Sequence, residues 1–156
     1  MLHENMKLVE GVPPANYTGA AVDGNYVCMK GYRYLTIIIQ TGAWAAGTAA
    51  ITLNKATDVS AAGETAATFT YMYTNDGAAT TDALTATAVT ANTFNLDVAL
   101  SMYVIEVDAA DHQGYDCFQL AAASPGGNND YFGAVYVLSG ARYAQGETPT
   151  PTALTD

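Results

Sequence analysis

Side chains able to do acid–base or nucleophilic chemistry are few in this chain and widely spaced. There are two histidines, His3 and His112. His3 falls in a terminal arm, and His112 follows Asp108 and Asp111 in a polar run, so both are expected at the surface. A Ser-His-Asp site needs a serine placed against the imidazole. The candidates Ser60, Ser101, Ser124 and Ser139 stand in no nucleophile context. The densest acidic stretch is Glu106, Asp108, Asp111 and Asp116. Calcium takes about six to eight oxygens from a convergent loop. Asp108, Asp111 and Asp116 supply them only if their loop folds back, and the spacing lacks the glycine and closing glutamate of an EF-hand. A glycosidase pair needs two acids about 5–9 Å apart across a cleft, whereas acids this near in sequence on one loop are mostly solvated. No phosphate loop, zincin helix or nucleophile elbow occurs. The residues therefore predict no enzyme, no catalytic group and no cofactor, with calcium at Asp108, Asp111 and Asp116 as the one alternative.

Cys28 and Cys117 both sit in apolar runs and belong to no CxxC pair. Buried free thiols are the default, and a single disulfide is the alternative if the fold brings their β-carbons within about 4 Å. The eleven tyrosines are the richer stock. A tyrosine ring buries area while its hydroxyl still finds a partner, which suits interfaces and sugar stacking. Tyr26, Tyr32 and Tyr34 lie close together, and Trp44 sits among small residues in GAWAAG. Trp44 either inserts into its own core or anchors a neighbour. With Pro13 and Pro14, these four aromatics are the candidate interface residues.

The net charge is −10, from 15 acids and 5 bases. Lys7, Lys30, Arg33, Lys55 and Arg142 never form a run, which argues against a nucleic-acid surface. Only 13% of residues are charged while 50% are hydrophobic, so a surface rich in Ala, Thr, Gly, Asn and Tyr costs little to desolvate against another protein. The start MLHENMKLVEG lacks the apolar stretch of a signal peptide. The best apolar run, Leu35 to Ile39, is far short of the roughly 20 residues of a membrane span. Asn16-Tyr17-Thr18 matches a glycosylation sequon.

Residues 1–20 read as an extended arm, because Pro13-Pro14 between Gly11 and Gly19 forces extension. Residues 146–156, GETPTPTALTD, read as a flexible tail. Residues 21–145 between them read as one β-sandwich or jelly-roll domain of eight to nine strands, with an up-and-down barrel as the runner-up. YLTIIIQ at Tyr34–Gln40 is the strongest strand. Its three consecutive isoleucines imply burial on both faces, or one face under an arm or a neighbour. Ile51 and Leu53 share a face, as do Phe69, Tyr71 and Tyr73, and as do Tyr103, Ile105 and Val107. Gly42–Gly47 reads as a loop, Asp108–Gln113 as one helical turn, and SPGGNND at Ser124–Asp130 as a loop.

The segments GYRYLTIIIQTGAWAAGTAAITLNKATDVSAAG, TFTYMYTND and MYVIEVDAADHQGYDCFQLAAASPGGNNDYFGAVYVLSGARY resemble small virion structural proteins of tailed bacteriophages. The resemblance spans roughly residues 24–143, in layout and phrasing rather than in a catalytic signature. It departs at His112 or Gln113, where the family phrase has a hydrophobic residue. The resemblance implies a capsid decoration or cement protein, located in the virion. Its partners would be the major capsid protein or other virion subunits, with a homotrimer favoured and no nucleic acid or membrane. A carbohydrate- or receptor-binding β-module and a filament or tube subunit are the alternatives. In any assembly of this kind, residues 1–20 are expected to reach another subunit.

Overall fold

Successive side chains on an extended backbone point to opposite faces, so apolar residues at every second position bury one face of a strand. The computed structural model describes residues 6–77, 82–126 and 129–142, and the backbone of 154–155. Among these residues there are thirteen strands and one short 3-10 turn. The strands are β1 (Lys7–Asn16), β2 (Val22–Asp23), β3 (Tyr26–Cys28), β4 (Tyr32–Trp44), β5 (Ala49–Ala56), β6 (Thr65–Ala66) and β7 (Tyr71–Asn75). There follow β8 (Thr85–Ala88), β9 (Thr93–Leu96), β10 (Met102–Asp108), the turn η1 (Ala109–His112), β11 (Cys117–Ala122), β12 (Asp130–Ala141) and β13 (Leu154–Thr155).

They form two antiparallel sheets. The first runs β1-β12-β4-β10-β7-β8, and the second runs β13-β3-β11-β5-β6, with β2 paired to β11 and β9 to β5. One core lies between them. Leu35, Ile37 and Ile39 of β4 and Tyr103, Ile105 and Val107 of β10 belong to the same buried cluster as Ile51 and Leu53 of β5 and Phe118 and Leu120 of β11. The chain is thus all-β, with two sheets stacked as in a sandwich. Tyr136 of β12 ties the layers together, since its buried hydroxyl accepts a hydrogen bond of 2.9 Å from Leu120 N–H in the opposite sheet. On β12 the outward residues are Val135 and Val137, and their neighbours Ala134, Tyr136 and Leu138 face the core.

Residues 7–16, expected as part of an arm, are a strand of the chain's own first sheet. β1 pairs with β12 from Lys7↔Leu138 to Asn16↔Tyr131, and Val9 and Val12 are buried in the core. The prolines are compatible with this because β1 is an edge strand and because the pair falls in a register shift, Pro13 and Pro14 standing opposite the single residue Gly133. The register shifts on either side of Val12, around Gly11 and Pro13-Pro14, bend the edge. Residues 1–5 of the expected arm lie outside the described residues. So does most of the expected tail at 146–156, of which Leu154–Thr155 pairs with Val27 and Tyr26 of β3.

Two further expectations are corrected. Phe69, expected on one face with Tyr71 and Tyr73, lies in the irregular stretch between β6 and β7, which turns it inward, edge-on to Phe94 at 6.1 Å. On β7 itself Met72 is the inward residue, and Tyr71 and Tyr73 share the opposite face. The loop expected at Gly42–Gly47 begins later, because β4 runs on to Trp44.

Candidate interaction face

The outward residues of the first sheet align across all six strands. Glu10, Val135, Ile38, Val104, Tyr73 and Ala86 are successive register partners. A second row sets Leu8 beside Val137, then Thr36 and Glu106. Between Glu10 at one margin and Glu106 and Asp108 toward the other, this face carries the aliphatic Leu8, Val135, Val137, Ile38 and Val104, with the uncharged polar Thr36 and Gln40 among them. Leu8 is 54% exposed and Val135 is 43% exposed. An open groove of about 660 Å³ runs over it, lined by Leu8, Pro14, Ile38, Leu100, Tyr131 and Val135 among others. Ile38, the middle isoleucine of the triplet, is half-buried here between Val135 and Val104, while Ile37 and Ile39 fill the core.

Leu100 stands at the groove's rim in left-handed backbone, with φ of 55°, and is 70% exposed. Such a conformation costs a residue with a β-carbon about 1–2 kcal/mol. It is held by neighbours: Leu100 N–H donates to Gly42 O at 2.9 Å, and Ser101 beside it is buried. The Thr41 hydroxyl donates to Val98 O and accepts from Ser101 N–H, both at 2.8 Å. The Ser101 hydroxyl donates to Ala99 O. Ser101, considered above as a nucleophile, thus fixes the turn that presents Leu100.

A second concavity, about 490 Å³, lies between β7, β10 and η1, with Tyr71, Tyr73, Glu106, Asp111 and His112 on its walls. His112 is buried, not exposed as expected. Asp108 caps η1 by accepting from Ala110 N–H at 3.0 Å, and the turn lays the imidazole edge-on to Phe118 at 5.2 Å. Burial and then the nearby Lys55 ammonium push its pKa below the ordinary histidine value. Its Nδ1 has no hydrogen-bond partner. Asp108 also accepts from Arg33 at 3.1 Å. The Ala110 N–H and the guanidinium hold its carboxyl below the usual carboxylate range. Among the described residues no three His, Cys, Asp or Glu side chains converge as metal ligands, so the calcium set Asp108, Asp111 and Asp116 is not assembled.

The candidate interface residues fall in different places. Tyr26 is buried on the outer side of the second sheet, its hydroxyl donating to the Glu64 carboxylate. Tyr32 is in the core. Trp44 is half-buried against Phe132, with ring centroids 6.4 Å apart, and its indole N–H donates to Gly47 O at 3.1 Å. These three are occupied by the chain's own packing. Tyr34 is 41% exposed, with the Arg33 guanidinium 4.9 Å from its ring centroid. Pro13 and Pro14 are exposed on β1, and Pro14 lines the groove. Leu8, Ile38, Leu100, Tyr131 and Val135 were missed. Of these only Ile38 carried a signal, as the odd member of the isoleucine triplet.

No family model, curated protein or solved structure matches the chain. Among the described residues no helix is long and apolar enough to cross a membrane.

Proposed function

We propose that this chain is a structural subunit of a protein shell, a decoration or cement protein on the head of a tailed bacteriophage, with its sandwich closed as a jelly roll. The observation that carries the reading is the aliphatic outer face of the first sheet. An exposed apolar patch rimmed by polar residues marks a protein contact, and a surface with few charges pays little desolvation there. The virion resemblance of residues 24–143 supplies the particular shell, and a homotrimer about a local axis is the assembly it favours. The partners are then the major capsid protein or other virion subunits, and the protein is located in the virion. Electron microscopy of the native particle tests this directly. Density for this chain at symmetry axes of the shell supports the reading, and a particle without it refutes the reading. The mass of the soluble species separates a closed trimer from an open filament.

Leu100 gives a sharper check. Leu100→Gly relieves the left-handed strain and removes little buried surface. It should leave stability unchanged or raise it by up to about 1 kcal/mol. The same change should weaken shell binding, as seen by co-sedimentation. A residue kept only for folding would show the opposite pair of effects.

A second reading, a carbohydrate-binding module, is favoured by the cleft between β7 and β10. Exposed Tyr71 offers a ring face and Glu106 and Asp111 offer acceptors for hydroxyl groups. A glycan array tests it, with Tyr71→Ala abolishing any signal that belongs to this cleft.

A further inference from the structure

We propose that Cys28 and Cys117 are a redox-active dithiol that closes to an intramolecular cross-strand disulfide. They are direct register partners on β3 and β11. Met29 N–H donates to Asp116 O at 2.7 Å, which makes the next pair along, Cys28 with Cys117, a non-hydrogen-bonded one. In such a pair the α-carbons lie roughly 4.5 Å apart and the side chains are at their closest. That is inside the window of about 4.4–6.8 Å that disulfides span. Both thiols are free in this structure. They share the outer side of the second sheet with Tyr26 and Ala56, under Val59 and Ala61 of the loop between β5 and β6.

The two sulfurs differ as an attacking and a resolving thiol must. Cys28 is partly exposed and Cys117 is buried. A hydrogen bond from the Cys117 thiol, helped by the backbone N–H and charge of Lys30, holds the Cys28 thiol below the ordinary cysteine value. Its partner is pushed upward by that same bond and by burial. With a peroxide as oxidant, the Cys28 thiolate attacks one oxygen, the O–O bond breaks, and hydroxide leaves, giving a sulfenic acid at Cys28. The Cys117 sulfur then displaces the sulfenic oxygen, its proton leaving with that oxygen in water. In total two thiols lose two electrons and two protons, and one hydrogen peroxide becomes two waters. The new bond fastens β3, a three-residue strand, to the interior strand β11. Because β13 pairs with the other side of β3, it also steadies the seat of the C-terminal segment. The inference does not depend on what the chain assembles with.

The test is intact-mass spectrometry of the folded protein after brief exposure to hydrogen peroxide. The wild type should lose about 2 Da, with a peptide map joining Cys28 to Cys117 and full reversal by a dithiol reductant. Cys117→Ser should instead gain about 16 Da or multiples at Cys28, and Cys28→Ser should leave Cys117 unmodified. The wild-type map is decisive even where a variant fails to fold. Wild-type thiols that each proceed to oxygenated acids without a link, or that join only between chains, would overturn the proposal. The linked form should melt roughly 5–10 °C above the reduced form. A linked protein that melts no higher would overturn the claim that the bond fastens β3. The closing rate should reach half its maximum below the ordinary thiol range near pH 8.5. A midpoint at or above that value would overturn the assignment of Cys28 as the attacking group.

Discussion

Tyr136→Ala should destabilise the fold by about 3–5 kcal/mol, read as a lower urea midpoint with an unchanged slope. The ring is fully buried between the sheets. It fills the space over Gly11 on the neighbouring strand, where an added β-carbon would sit 2.5 Å from Tyr136 Cε1. Tyr136→Phe keeps the ring but deprives Leu120 N–H of its acceptor, which should cost about 1–3 kcal/mol. Gly11→Ala should cost about 1–3 kcal/mol by overpacking. In the Tyr136→Ala background that cost should vanish, because the atoms it collides with are gone. A double-mutant cycle over these positions should therefore show strong coupling.

The same side chain has a pH signature. Burial pushes the Tyr136 hydroxyl above its ordinary value. Burial and the Glu64 hydrogen bond do the same to Tyr26. A folded-state pKa above the unfolded value of about 10 means that the unfolded chain releases protons which the folded chain retains. The stability these groups contribute is complete below pH 10 and is lost as the pH rises beyond it. Each contributes a slope of up to about 1.4 kcal/mol per pH unit. Tyr136→Phe should make the alkaline limb of the stability profile shallower by one such group.

Elements whose burial follows a strict period of two were legible. The triad Tyr103, Ile105 and Val107 of β10 and the pair Ile51 and Leu53 of β5, each read as sharing one face, do face the core, and the single turn after Asp108 is there. What escaped was set by neighbours distant in sequence. β1 read as an arm because prolines oppose ordinary strands. Its place at a sheet edge and the register shift opposite Gly133 make Pro13 and Pro14 tolerable, and both are properties of the paired sheet. His112 read as exposed because its sequence neighbours are polar, yet the Asp108 cap turns it onto Phe118. The facing of Cys28 and Cys117 depends on the register of strands far apart in the chain, which the two apolar runs do not encode. The outer face of the first sheet escaped for the same reason. Leu8 and Val135 are unremarkable in their own segments, the isoleucine triplet marks only Ile38, and the three become a surface only when β1, β12 and β4 are laid side by side.

That surface sets the second large effect, on association. Val135 stands second in the outer row, between Glu10 and Ile38, and lines the groove over this face. Val135→Glu should leave the fold near wild-type stability, within about 1 kcal/mol for an exposed strand site. If this face packs against another subunit, a carboxylate there is desolvated without a partner. The loss at such a desolvated contact is then about 2 kcal/mol or more, some thirtyfold in affinity. The formal net charge of −10 offers a rival cause, because one more negative charge would weaken association by general repulsion. Val135→Lys separates the two. It reduces the net charge by one unit, so repulsion alone predicts tighter association than the wild type. Apolar packing predicts that both variants bind weakly and that sulfate, which strengthens apolar burial, tightens the wild type more than either. Sedimentation of the three proteins with and without sulfate decides between them. Should Val135→Lys bind more tightly than the wild type, general charge rather than this face would govern association.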